Sequence, residues 1–168
     1  MSWLLERLRR HKEDRGMMAN LRCALVESKK HRAWPVLHRL GIEVTNDVGT
    51  IVAALYATHP EETLKGNFGD TCNAIEKSRR ENHSDDNKLT PTERRFLHLL
   101  AAEREELLQR VTRLVLMAKS QGVPVNYEQL ETDMKFWNDR TKTEWAASFW
   151  TPGVDTELQS VAMEGGEG

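Results

Sequence analysis

No apolar run in this sequence approaches the ~20 residues that a bilayer-spanning helix requires, so it holds no candidate transmembrane helix. Residues 1–12 set Trp3-Leu4-Leu5 among charges, without the apolar stretch and small-residue cleavage site of a secretory signal. Cysteine is scarce: Cys23 and Cys72 are the only two, with no Cys-x-x-Cys spacing. The expectation is a cytoplasmic, reducing setting in which both are free buried thiols. β-Patterning is missing as well. Ile42-Glu43-Val44-Thr45 comes nearest to an alternating strand and is too short. No fixed-period repeat is present.

Recognisable catalytic chemistry is also lacking. The six histidines (11, 31, 38, 59, 83 and 98) never fall at the i, i+3 or i, i+4 spacing of a helical metal site. There is no Glu-x-x-His motif and no Gly-x-Ser-x-Gly elbow. Gly66 and Gly69 do not make a phosphate loop, because no strand precedes them and the Lys-Ser/Thr ending is missing. Glu103, Glu105 and Glu106 sit at spacings that suit helix ion pairs with Arg104 and Arg110. The reading is a non-enzyme with no catalytic residues, no metal ligands and no cofactor.

What the chain does hold is helices and unevenly placed charge. Hydrophobic residues at 39% and charged residues at 30% place it with soluble globular chains rather than disordered ones. Residues 1–40 contain ten Lys or Arg against four acids, or +6; the whole chain is −2, which leaves −8 for the rest. Such asymmetry points to an anionic partner on one face. Periodicity predicts amphipathic helices over 3–12 and from about Asp14 to Ser28, with Met18, Leu21, Leu25 and Val26 inward. Lys29-Lys30-His31-Arg32 then falls at a helix end, where cations complement the carbonyl dipoles. Pro35 starts a short helix that Gly41 ends, and Asn46-Asp47 caps an apolar helix through Thr58. Residues 61–69 read as loop and Asp70 to about Arg80 as helix.

The most legible stretch opens at Thr90-Pro91-Thr92-Glu93, a capping box with proline at the first helical position. One apolar face follows: Phe96, Leu97, Leu100, Leu107, Leu108, Val111, Leu114, Val115 and Met117, with a break or bend possible over Ala101 to Glu103. Asn126 caps the next helix, and Asp139 or Thr141 the last, which carries Trp145, Phe149 and Trp150. The architecture expected is all-α: an N-terminal helical bundle (1–83), a polar linker (84–89), a C-terminal helical bundle (90–151) and a disordered acidic tail (152–168).

Arg94 and Arg95 follow the capping box and read as first-turn residues, where the helix dipole opposes cations; that hints at an outside anion. Arg104, Arg110 and Arg113 recur along the next helix, and Arg140 and Lys142 begin the last. Arginine suits phosphate because its planar fork gives two parallel hydrogen bonds. Trp137, Trp145 and Trp150 serve either as core or as base-stacking surfaces. Two readings follow from the residues: a helical module holding nucleic acid without cutting it, or a helical adaptor whose basic face binds an acidic protein.

The stretch Glu93-Arg94-Arg95-Phe96-Leu97-His98-Leu99-Leu100-Ala101-Ala102-Glu103-Arg104 sets a basic pair before an aromatic-aliphatic run and then an acid-arginine step. With Arg113-Leu114, Phe136-Trp137 and Trp145…Phe149 behind it, it resembles the CasB family, the small subunit of the type I-E CRISPR surveillance complex Cascade. Val52-Ala53-Ala54-Leu55-Tyr56-Ala57 and the basic N-terminal helix add to the likeness, which covers most of residues 1–150. The resemblance implies a non-catalytic all-α subunit in antiviral defence. It would pair head to tail with a second copy, contact the backbone and large subunits, and help hold guide RNA, target DNA strand and displaced non-target strand in a basic groove. It carries the nucleic-acid role onto Arg94, Arg95, Arg104, Arg113, Arg140 and Lys142, with Arg22 on the N-terminal side. Asp139 departs from the family pattern, which has a basic residue there.

Overall fold

Most of the helices begin where a short polar side chain can occupy a free amide. In the computed structural model, which describes residues 2–79 and 88–151, Ser2, Asp14, Asn46, Thr90, Asn126 and Asn138 each accept from the amide three residues on. They start α1 (Trp3–Arg10), α2 (Arg15–Arg22), α4 (Asp47–Thr58), α6 (Pro91–Leu100), α8 (Tyr127–Lys135) and α9 (Asp139–Phe149). The remaining helices are α3 (Trp34–Leu40), α5 (Phe68–Arg79) and α7 (Arg104–Gln121), with 3-10 turns at Cys23–Leu25 and Lys30–Ala33. Gly41 and Gly122 end α3 and α7 in the left-handed region, at φ 76° and 67°. The Thr90–Glu93 capping box is complete: Thr90 Oγ1 accepts from Glu93 N at 3.0 Å and Glu93 Oε1 from Thr90 N at 3.1 Å. Among the described residues the only β feature is an isolated bridge between Glu62 and Val125. The all-α expectation holds.

α4 is buried nearly all round (Val48, Gly49 and Val52 to Ala57) and packs against α1, α2, α7 and α8. α5 packs on α9, α7 and α6. Its approach to α9 is close: a Cβ at Gly69 would fall on the main-chain carbonyl of Trp145. Asn67 and Asn73 tie the same pair together, donating to Ser148 Oγ at 2.9 Å and Phe149 O at 2.6 Å. The buried apolar side chains form one cluster from Leu4 to Phe149. α1 is fastened by Arg9, whose guanidinium grips Glu62 through Nε and Nη2 (2.9 and 2.8 Å) and reaches Glu128 on α8 at 3.0 Å.

Several local expectations need correction. α2 stops at Arg22 rather than Ser28, and Val26 is exposed. Beyond Leu25 the sequence offers Val26 alone before a polar run, so a continued helix would have no apolar face to bury. Lys29 to Arg32 therefore lie in a turn and a 3-10 segment, not at the carbonyl end of an α-helix. The 101–103 segment does break the long periodic run. α6 ends at Leu100 and turns independently of α7, so it buries Thr92, Phe96 and Leu99 and leaves Leu97 exposed. Asn138, not Asp139 or Thr141, caps α9; Thr141 Oγ1 is turned inward toward Phe136 O at 3.2 Å. Both cysteines are free, but only Cys72 is fully buried, and that burial pushes its thiol pKa well up. Residues 80–87, with most of the expected linker, and the expected tail at 152–168 lie outside the described residues.

Candidate nucleic-acid interface

α6 and α7 pack against each other across the break at 101–103, and each presents one polar stripe to the same side. On α6, His98 lies one turn on from Arg94 and Arg95; on α7, Gln109 and Arg110 lie one turn on from Glu106, and Arg113 one turn beyond them. Together these seven side chains line an open groove of about 440 Å³. Arg95 and Arg113 also border an adjoining depression of about 350 Å³ with Leu116, Met117 and Ser120.

Arg110 holds the groove's form. Its Nη1 donates to His98 O at 2.6 Å and its Nη2 pairs with Glu106 at 2.9 Å. Glu106, the one acid lining the groove among the described residues, is thereby engaged. Arg94 Nη2 makes a 3.3 Å bond to Leu89 O, and Arg95 Nη1 lies 3.0 Å from Met117 Sδ, a weak acceptor. Arg113 is exposed, and its guanidinium has no partner among the described residues. Among the described residues, three guanidinium groups thus face one concavity without a carboxylate of their own, so their donors remain available to an outside anion.

The dipole argument for Arg94 and Arg95 changes with the geometry. Pro91 is the first helical residue, so these arginines are the fourth and fifth, and Arg94 N already donates to Thr90 O at 3.0 Å. The dipole field falls off within the first turn, so the convergence of cations carries the case instead.

The other expected contacts stand elsewhere. Arg104 donates to Met134 O at 3.3 Å and Lys135 O at 3.2 Å, capping the end of α8. Arg22 donates to Ala57 O at 2.8 Å in the last turn of α4. Arg140 is highly exposed and pairs with Glu144 at 3.1 Å, while Lys142 Nζ sits over the Trp137 ring, 5.6 Å from its centre. Of the tryptophans, Trp145 is fully buried and donates to Asp133 Oδ2 at 2.7 Å. Trp137 is half-buried and donates to Ala102 O, and Trp150 is partly exposed against Phe96 and Phe149. Sequence reasoning left Arg110 and His98 out of the site. Helical spacing carries the signal for both: His98 is one turn from Arg94 and Arg95, and Arg110 one turn from Arg113.

No group of three or more His, Cys, Asp or Glu side chains among the described residues is placed to hold a metal ion. No described helix is long and apolar enough to cross a membrane.

A model of the CRISPR-associated protein Cse2 family matches residues 7–150. The chain belongs to this family. Solved structures share its fold at low identity. A Cse2-family CRISPR-associated protein from Thermus thermophilus superposes with a TM-score of 0.69 at 19% identity, over 88% of this chain and 95% of that one. A structure of CasB, also from Thermus thermophilus, gives 0.67 at 19% identity over the same shares. M. ruber CasB gives 0.70 at 19% identity, over 95% of this chain and 99% of that one. No curated protein matches significantly. The family match agrees with the likeness read from Glu93 to Arg104, and the shared fold with the all-α expectation.

Proposed function

We propose that this Cse2-family chain is the non-catalytic small subunit of a type I-E Cascade complex, and that its α6–α7 groove holds nucleic-acid backbone without reading sequence. Its ligands are guide RNA, the target DNA strand and the displaced non-target strand, whose separation it stabilises as an R-loop. A second copy of the chain, arranged head to tail, and the backbone and large subunits complete its partners. The observation that carries the reading is the convergence of Arg94, Arg95 and Arg113 on one groove, with Arg110 fixing its walls. Arg140 and Lys142 on α9 are outlying contacts; Arg104 and Arg22 have internal roles.

The division of labour has a physical basis. Guide–target pairing reads sequence, so the protein need only neutralise and position phosphates. Such binding is dominated by counterion release, with log K falling linearly in log salt. The test is the salt dependence of oligonucleotide binding by wild type and by Arg95→Ala/Arg113→Ala. The double variant should bind more weakly, with the slope reduced by about 0.7 for each single-strand phosphate no longer neutralised. An unchanged affinity and slope would remove the groove from the interface.

A further inference from the structure

Away from the groove, the segment between Glu27 and Glu43 contains no acid but has Lys29, Lys30, Arg32 and Arg39 within it. Its 3-10 turn, Lys30–Ala33, runs straight into α3, and the joined element packs on α1 and α2 through Ala33, Val36, Leu37 and Leu40, all buried. That burial anchors the backbone and leaves the basic side chains outward. Among the described residues Lys30 makes only a solvent-exposed pair with Glu27, 2.8 Å long, of the kind worth little. Lys29, Arg32 and Arg39 have no side-chain partner among the described residues. Arg39 stands in the last turn of α3, where the helix dipole favours a cation. Lys29 and Arg32, off any α-helix, have no such use.

The same exposed segment carries Trp34, 45% exposed at the start of α3. Its one aromatic neighbour among the described residues is His31, edge-on, with centroids 6.4 Å apart and planes at 74°. An indole left half in water costs burial that a purely structural residue would recover. Its backbone is held on both sides, by buried Ala33 and by Pro35 in the first turn, so the ring stands on a fixed base.

We propose that this face is a second binding site, taking a segment of single-stranded nucleic acid. Trp34 stacks on one unpaired base, and Lys29, Arg32 and Arg39 neutralise the phosphates beside it. Charge alone would suit any polyanion; the exposed indole selects a ligand with a free aromatic face, which a duplex does not offer and an acidic peptide lacks. The inference shares with the groove reading only the class of ligand.

The experiment uses the full chain, a short labelled DNA single strand, the matching duplex and polyglutamate. Trp34→Ala should weaken single-strand binding about fivefold or more, the lower end of a lost base–aromatic stack. It should leave duplex binding unchanged, and Trp34→Phe should retain most of the affinity while showing that the site folds. Arg32→Glu/Arg39→Glu should weaken binding and flatten the salt slope by about 0.7 for each phosphate no longer neutralised. The inference is overturned if Trp34→Ala binds the single strand like wild type, or loses single strand and duplex equally. It is overturned too if polyglutamate binding depends on Trp34 as strongly as DNA binding does. Arg95→Ala/Arg113→Ala, run in parallel, separates the two sites: silence at Trp34 with loss at Arg95 and Arg113 sinks this proposal alone, and the converse sinks the groove alone.

Discussion

Arg110 of α7 donates to the main-chain carbonyl of His98 on α6 at 2.6 Å, and one guanidinium thereby closes two gaps. His98 O lies in the last turn of α6, where carbonyls lack intrahelical partners and a cation is favoured. The same side chain pairs with Glu106, the acid that lines the groove among the described residues. Arg110→Ala should therefore change two observables. Thermal unfolding should fall by about 2–4 °C, for a loss of about 1 kcal/mol. Oligonucleotide affinity should also fall, because Glu106 is released into the groove. Arg113→Ala, with no internal bond to lose, should lower affinity at unchanged Tm.

Arg104 should behave in the opposite way. Its two bonds run to Met134 O and Lys135 O, at the carbonyl end of α8. Arg104→Ala should destabilise by about 1 kcal/mol through the missing cap, while the salt slope of nucleic-acid binding stays at the wild-type value. A reduced slope at unchanged Tm would instead make Arg104 a phosphate contact.

These two arginines mark how far the sequence could be read. Features set by neighbours within a turn were legible: the Thr90–Glu93 box, Asn46 and Asn126 as caps, Gly41 as a stop, and the fragile segment at 101–103. Where three cap-capable residues stand close together, as Asn138, Asp139 and Thr141 do, spacing alone did not pick Asn138, which accepts from Thr141 N while Thr141 Oγ1 meets Phe136 O. Arg104 and Arg110 share residue type, helix and charge; only partners 30 and 12 positions away in the chain give one a cap and the other a groove wall. Trp145 and Trp150 both carry apolar bulk in one short segment, yet α9 ends between them, so one is buried and the other half-exposed. The family pattern was legible for a related reason, since it is carried by the order of local blocks.

Trp145 depends on Asp133. The indole is fully buried and its Nε1–H reaches Asp133 Oδ2 at 2.7 Å, while Gln129 donates to the other oxygen at 2.9 Å. Asp133→Ala should cost about 1–3 kcal/mol, because a buried donor is left unsatisfied. Asp133→Asn, which keeps an acceptor in place, should cost less. Chemical denaturation of the two variants checks the order, and equal losses would mean that charge, not the hydrogen bond, holds the indole.

Gly69 tests the α5–α9 contact. A methyl group there would meet the carbonyl of Trp145, which is backbone and cannot rotate away. Gly69→Ala would ordinarily stabilise a helix by up to about 1 kcal/mol; here the overlap should reverse the sign and destabilise by about 1–3 kcal/mol. A more stable alanine variant would show that α9 can shift without loss.

Tyr127 gives the fold a ceiling in alkaline solution. Its buried hydroxyl donates to His59 O at 2.6 Å, with Leu55 O a second acceptor 3.2 Å away, so the neutral phenol is the bonded form. Burial, with Glu62 adding its charge, raises the pKa above the ordinary 10.0. In the unfolded chain the phenol ionises near that ordinary value. Above it the unfolded state binds fewer protons than the folded one, so stability falls as pH rises; below it the contribution is fully present. Tyr127→Phe should lower stability at neutral pH by about 1 kcal/mol, for the hydrogen bonds removed. Above pH 10 the wild type should lose stability faster than the phenylalanine variant, so their difference should shrink. Cys72 and Tyr56, whose pKa values are also raised, titrate in both proteins and cancel in the comparison. Denaturation midpoints across that alkaline range decide the matter: parallel curves would mean that Tyr127 does not set the ceiling.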